Sequence, residues 1–198
     1  MFSGIIEALG HVAAFERRGQ DAVLTVEGGL DPGELVLGES IATNGVCLTV
    51  REITASGFVA DLSLETLERS TLGELTPGAR LNLERSLKVG DRISGHFVFG
   101  HVDTVGEIVS FEPEGEGQRL TISHPTEFAR YVADKGSVSI DGISLTVCAP
   151  AADRFSIALI PHTLEVTTLG TRNAGDRVNL EADMLARYAR RAVETPSS

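Results

Sequence analysis

Two cysteines, Cys47 and Cys148, are too few for a disulfide scaffold in a chain of 198 residues, so two free thiols are expected. Basic residues are also scarce: 17 Lys and Arg against 28 Asp and Glu leave a formal charge of -11, and no basic stripe interleaved with aromatics offsets it. Such a field repels a phosphate backbone, which argues against nucleic-acid binding. No apolar run approaches the roughly 18 residues of a membrane span, and Met1 to Gly10 has neither a basic n-region nor a long apolar core. The expectation is a cytoplasmic protein with no membrane contact. The five His residues, at 11, 96, 101, 124 and 162, form no CxxC, HExxH or comparable ligand spacing, so no metal is implied. Neither a GxGxxG following a strand nor a Walker loop occurs, and no cofactor is implied either.

What the chain has is a repeat. Hydrophobic residues at 42% and charged residues at 23% are ordinary for a folded protein. Sliding the sequence by 97 places aligns Asn44-Gly-Val-Cys-Leu-Thr-Val50 with Asp141-Gly-Ile-Ser-Leu-Thr-Val147, and the register holds without a gap to Glu84 and Glu181. Over these stretches 18 of 41 positions are identical, Asn82-Leu-Glu84 and Asn179-Leu-Glu181 among them. A weaker register of 96 pairs Gly10 with Gly106, Phe15 with Phe111 and Leu24-Thr25 with Leu120-Thr121. The expected organisation is therefore two similar domains, 1–96 and 97–183, followed by a C-terminal segment 184–198. Two copies are too few for a solenoid or propeller.

Runs such as Ala22 to Val26, Cys47 to Arg51 and Phe58 to Leu62 are rich in β-branched and aromatic residues and bounded by turn formers, so they read as strands. Their regular spacing favours a closed barrel over alternating βα units. One short helix is expected in each copy, Leu64 to Leu72 and Pro161 to Leu169, with Pro161 at a first helical position and Gly73 and Gly170 past the ends. After Asp183, a good N-cap, Met184, Leu185, Tyr188, Ala189, Ala192 and Val193 share one helical face. That face packs on its own domain or against other subunits; the sequence leaves both open.

Five motifs in this order resemble the riboflavin synthases of the alpha-chain type: Met1-Phe-Ser-Gly-Ile-Ile-Glu7, Asn44 to Val50, Gly95-His-Phe-Val-Phe-Gly-His-Val-Asp103, Asp141 to Val147 and Ile160-Pro-His-Thr-Leu164. The resemblance runs from Met1 to about Tyr188. It implies an all-β fold with short helices: two tandem six-stranded Greek-key barrels, and a C-terminal helix that assembles a homotrimer. It implies a transferase without metal or cofactor. Two molecules of 6,7-dimethyl-8-ribityllumazine exchange a four-carbon unit to give riboflavin and 5-amino-6-ribitylaminouracil, the last step of riboflavin biosynthesis. One lumazine sits on each of two facing barrels, two per site, and the resemblance also admits lumazine synthase as a partner.

The same resemblance assigns residues that general reasoning would pass over. A buried Cys is usually a small hydrophobe, but Cys47 falls at a substrate contact and is a candidate nucleophile, with Ser144 as its repeat mate. Cys148 matches no motif. A lone His between strands is usually structural, yet His101 becomes the first candidate for a proton carrier, with His96 supporting it and His162 in the segment lining the C-terminal site. Thr49 and Thr146, otherwise ordinary strand residues, hydrogen-bond the ring, flanked by Leu48 and Leu145. The ribityl chain and ring are held by Asp61, Leu62, Ser63, Leu64, Glu65 and Thr66 and, in the second copy, by Ile160, Pro161, His162, Thr163, Leu164 and Glu165. Gly100 and Val102 flank His101. Asp141 organises the C-terminal site, Asp183 stands near the reacting methyl as well as capping a helix, and Lys135 reaches the neighbouring subunit's substrate. Phe2 and Ser3, with Gly4, Ile5 and Ile6, would pass for a frayed terminus but are placed between the two rings. A second reading, a lumazine-binding or flavin-binding optical protein of the same fold, needs only one good site. A third, a structural barrel module, leaves the polar motifs without a reason.

Overall fold

The computed structural model describes residues 1–194, so 195–198, the end of the segment expected to follow the barrels, lie outside the described residues. In the first copy the strands are β1 (Ala8–Arg18), β2 (Asp21–Glu27), β3 (Ser40–Thr43), β4 (Val46–Thr49), β5 (Glu52–Ile53), β6 (Gly57–Leu62) and β7 (Arg80–Arg85), with helix α1 (Leu64–Arg69) before β7. The second copy has β8 (Thr104–Glu114), β9 (Gly117–Ser123), β10 (Ser137–Ile140), β11 (Ile143–Cys148), β12 (Arg154–Leu159), helix α2 (Pro161–Val166) and β13 (Arg177–Ala182), and α3 (Met184–Glu194) follows.

The second copy is a closed barrel in the order β10-β11-β12-β9-β8-β13, all neighbours antiparallel. The first copy has the same order, but its ladder counts seven segments, β4-β3-β7-β1-β2-β6-β5, where six strands are expected. The extra segment is one strand cut in two. β4 and β5 are consecutive in the chain, and Arg51 N still donates to Val59 O at 2.9 Å across the break. The expected strand Cys47 to Arg51 therefore ends two residues early.

The ladder of the second copy closes, while that of the first stays open between β4 and β5, a half-barrel where a closed one is expected. Each copy wraps its own core because inward positions alternate with outward ones along the strands. Leu24, Phe58, Leu62 and Leu83 fill the first, and their repeat mates Leu120, Phe155, Leu159 and Leu180 fill the second. Both long first strands carry a bulge at the same place, between Val12 and Ala14 and between Ile108 and Ser110, which supplies the bend that closure needs.

The helices are shorter than expected. α1 stops at Ser70 and α2 at Thr167, both in extended backbone, and a separate 3-10 turn follows each. The same hydroxyl does two things: Ser70 Oγ donates to Thr66 O at 2.6 Å and accepts from Leu72 N at 3.2 Å, closing one turn and capping the next. Thr167 repeats this with Thr163 O and Leu169 N. Gly73 and Gly170 are thus not helix C-caps. Each lies inside a 3-10 turn against a carbonyl, where a Cβ would come within 2.4 Å of Leu67 O and 1.9 Å of Leu164 O.

α3 lies against the second barrel with its basic side inward. Arg187 pairs with Asp103 and stacks over Tyr131, 5.4 Å from the ring centroid. The apolar stripe faces out: Leu185 is 65% exposed, Tyr188 70% and Val193 82%. No helix among the described residues is long and apolar enough to cross a membrane.

Candidate functional site

The two barrels meet through their repeated motifs. β3 and β4 are joined by Asn44-Gly45, and β10 and β11 by Asp141-Gly142, all at positive φ. These are the two-residue hairpin turns that Asn-Gly and Asp-Gly favour. The two tips touch, with a Cβ on Gly45 falling 2.5 Å from Gly142 N. Around them Asn82 and Asn179 bond reciprocally across the seam. Asn82 accepts from Thr168 N and donates to Asp141 O; Asn179 accepts from Thr71 N and donates to Asn44 O.

The segments ahead of β1 and β8 cross between barrels. Phe2 and Val98 pair with each other at 2.7 and 3.1 Å, and both are buried. Beyond them Gly4 O accepts from Ser144 N of the second barrel, while Gly100 O accepts from Cys47 N of the first. Each contact needs glycine, since both residues have φ +77° and a Cβ would sit 2.6 Å from Ser144 Cβ or 2.5 Å from Cys47 Cβ. A buried glutamate ties each segment down. Glu84 accepts from Ser3 N, Ser3 Oγ and Gly4 N, and Glu181 accepts from Phe99, Gly100 and His101 N at 2.7 to 2.9 Å. Burial pushes both carboxyls up, and these N–H bonds pull them back.

This crossing gives each barrel its own cluster of candidate site residues. On the first barrel, Cys47, Glu65, Thr66, Gly100, His101 and Val102 line a cavity of about 360 Å³. A second cavity of about 390 Å³ lies on the other side of Cys47 and Thr66, bordered by Leu48, Thr49, Asp61 and Ser63. There Arg51 pairs with Asp61 at 2.6 Å. On the second barrel, Ser144 Oγ lies 2.7 Å from His96 Nδ1. His96 is buried, which lowers its pKa against the pull of the Asp183 charge, and its Nε2 has no hydrogen-bond partner among the described residues. No His ring bonds the Cys47 thiol among the described residues.

Phe2, Ser3, Gly4, His96, Cys47, Gly100 and Ser144 are thus brought together around the crossing. Ile5 and His101 lie exposed on the two crossing segments, and Ile6 and Val102 pack against opposite barrels. Thr49 and Thr146 are exposed at matching strand positions, with Leu145 half-buried beside Thr146. Leu48 and Leu62 face the core and offer a ligand only their backbone. Leu64, Ile160, Pro161, His162 and Glu165 are exposed at the starts of α1 and α2, with Thr163 and Leu164 half-buried. Lys135 is exposed and stands in the left-handed region at φ 64°, where its repeat mate is Gly38. A lysine there is strained. Asp183 caps α3 through Leu185 N at 2.9 Å.

Asp141 is fully buried in the seam, accepting from Asn179 N and from Arg172 at 3.0 Å. Both carboxylate partners belong to its own barrel, and it is the main-chain O of Asp141 that accepts from Asn82 Nδ2 across the seam. Burial pushes the carboxyl up while Arg172 opposes. The residues missed in the sequence are Asn82, Asn179, Glu84, Glu181 and Arg172. A signal for four of them was present: two polar residues flanking a core leucine, repeated identically, on an outward face that only a second barrel would bury. Among the described residues no group of three or more His, Cys, Asp or Glu could hold a metal.

The duplicated units with crossing segments belong to the lumazine-binding class of two-domain proteins: the lumazine binding domain family model matches residues 3–86 and again 99–183. Riboflavin synthase of Mycobacterium tuberculosis (strain H37Rv) is 47% identical over 98% of this chain and 99% of its own length. The Brucella abortus riboflavin synthase is 46% identical over 98% of each, and that of Bacillus subtilis 37% over 95% of this chain and 87% of the relative. The chain belongs to the riboflavin synthase family. Among solved structures, LumP complexed with 6,7-dimethyl-8-(1'-D-ribityl) lumazine superposes with a TM-score of 0.83 at 21% identity, and LumP complexed with riboflavin with 0.84 at 23%. Each superposition covers 92% of this chain and 99% of the other, and shows the shared fold.

Proposed function

We propose that the chain is a riboflavin synthase that converts two molecules of 6,7-dimethyl-8-ribityllumazine into riboflavin and 5-amino-6-ribitylaminouracil. The observation that carries this is the unequal pair of sites on one duplicated scaffold, Cys47 with His101 on the first barrel and Ser144 with His96 on the second. A reaction between two identical molecules calls for two related sites with different chemistry.

The substrate supplies most of the reactivity. The electron-poor ring makes the C7 methyl acidic. A base removes its proton, and the carbanion attacks a second lumazine before the four-carbon unit is transferred. The protein's share is alignment, where effective molarity supplies about 7 kcal/mol or more, and acid–base help of roughly 10²-fold or more. We assign His101 as the proton carrier, Cys47 and Ser144 as polar or nucleophilic partners of the two rings, and Thr49 and Thr146 as their hydrogen-bonding partners. The Asp61 to Thr66 and Ile160 to Glu165 segments hold the ribityl chains.

The site works between subunits in this reading, the first barrel of one chain facing the second barrel of its neighbour in a homotrimer in the cytoplasm. Support comes from α3, which leaves its apolar stripe uncovered on the single chain. The test is to mix purified protein with the lumazine and follow riboflavin by absorbance and fluorescence. Catalytic turnover is expected. Tight binding without product would make the chain a non-catalytic lumazine-binding or flavin-binding optical protein instead.

A further inference from the structure

A cleft of about 480 Å³ lies over the seam between the barrels, and none of the residues assigned to substrate lines it. Its wall comes in repeat pairs, Thr71 with Thr168 and Arg80 with Arg177, but the pairing breaks where Arg172 replaces Leu75.

The wall carries donors that no described residue meets. Thr71 Oγ1, Thr168 Oγ1 and Arg172 Nε are buried with no hydrogen-bond partner among the described residues. Asn44 is 1% exposed, and its side-chain oxygen accepts from Asn82 N, which leaves its NH2 with no acceptor among the described residues. Arg80, exposed at the rim, forms no ion pair among the described residues. The acceptors nearby are engaged: Asp141 by Asn179 and Arg172, Glu74 by Arg177, and Asp176 by Asn173 N. Buried polar groups in folded proteins are almost always paired, and a guanidinium Nε and an amide NH2 can only donate. Unmet donors beside an unpaired arginine call for a ligand made of acceptors, in a chain whose formal charge is -11.

We propose that this cleft binds a phosphate group, free or as a small phosphomonoester, which accepts from Asn44, Thr71, Thr168, Arg172 and Arg80 and so bridges the two barrels. The space exceeds what one phosphate fills, which leaves room for the organic part of an ester. The site does not depend on the proposed reaction.

The test replaces chloride by phosphate at constant ionic strength, following thermal unfolding and titration calorimetry in parent, Thr168→Val and Arg80→Gln. One saturable site per chain and a rise of a few degrees in the parent are expected. Thr168→Val removes an unpaired hydroxyl while keeping its shape, so without phosphate it should melt at or above the parent temperature, yet bind phosphate about tenfold or more weakly. Arg80→Gln, at an exposed position, should weaken binding without disturbing the fold. If phosphate raises all three melting temperatures equally, the effect is general salt stabilisation and the proposal falls. It falls equally if no saturable heat appears. Glycerol phosphate, with glycerol as control, separates the sources: tighter binding than phosphate assigns an ester, and weaker binding assigns the free anion.

Discussion

Cys47 and Ser144 hold the same position in two copies of one motif, yet only Ser144 has an imidazole at 2.7 Å. The histidine that reaches the first site, His101, is exposed instead, carried there on the crossing segment and fixed through its backbone by Glu181. If His101 carries a proton, His101→Gln should lower riboflavin formation about a hundredfold or more while riboflavin affinity changes little. A loss confined to KM would remove it from the chemistry. His96 gives a stability prediction. Its folded pKa is depressed below 6.5 by burial, so between the two values the unfolded chain binds the extra proton. Its contribution is therefore present above pH 6.5 and lost as pH falls through that value towards the folded one. Urea unfolding from pH 7.5 down to 5 should show the parent losing stability faster than His96→Gln, and parallel curves would contradict the assignment.

At the scale of elements, the crossing segments and the two hairpins behave as one joint. Phe2 to Ile6 and Val98 to Val102 are irregular chain with few backbone partners of their own, and the buried glutamates of β7 and β13 supply what a ladder would have supplied. The hairpin tips depend on Asn82 and Asn179. Asn82→Ala removes a donor to Asp141 O and an acceptor for Thr168 N, both buried, and should cost about 2 to 4 kcal/mol in urea unfolding. Asn179→Ala should cost a similar amount through Asn44 O and Thr71 N. A loss below about 0.5 kcal/mol for either would mean that the seam is held elsewhere. The shortened helices belong to this scale too. Helical periodicity in Leu64 to Leu72 is real, but Ser70 can turn its hydroxyl back to Thr66 O, and only the surrounding chain selects that alternative.

For the whole molecule the open question is what covers α3. α3 is held to its own barrel through Arg187 while Leu185, Tyr188 and Val193 are mostly exposed, the kind of apolar patch that marks an interaction surface. On the proposed homotrimer, changing Leu185 and Tyr188 together to Asp should leave the barrels folded by circular dichroism, shift light scattering from trimer to monomer, and abolish turnover along with the proposed intersubunit site. A double variant that remains trimeric would relieve α3 of that role.

The sequence by itself determined the duplication and the barrel class, because these rest on short-range information: β-branched runs between turn formers, an Asn-Gly or Asp-Gly pair between strands, and motifs that recur intact. Pro161 at the start of α2 and the amphipathic face of α3 were legible for the same reason. The site candidates came only through the resemblance that those motifs carry. Only the tertiary structure decided that the segment before each barrel serves the other one, that Asn82, Glu84, Asn179 and Glu181 are buried, and that Asp141 faces Arg172 in a seam. Those facts depend on contacts between residues as much as 135 positions apart, and a polar residue on an outward strand face looks solvated until a second barrel closes over it.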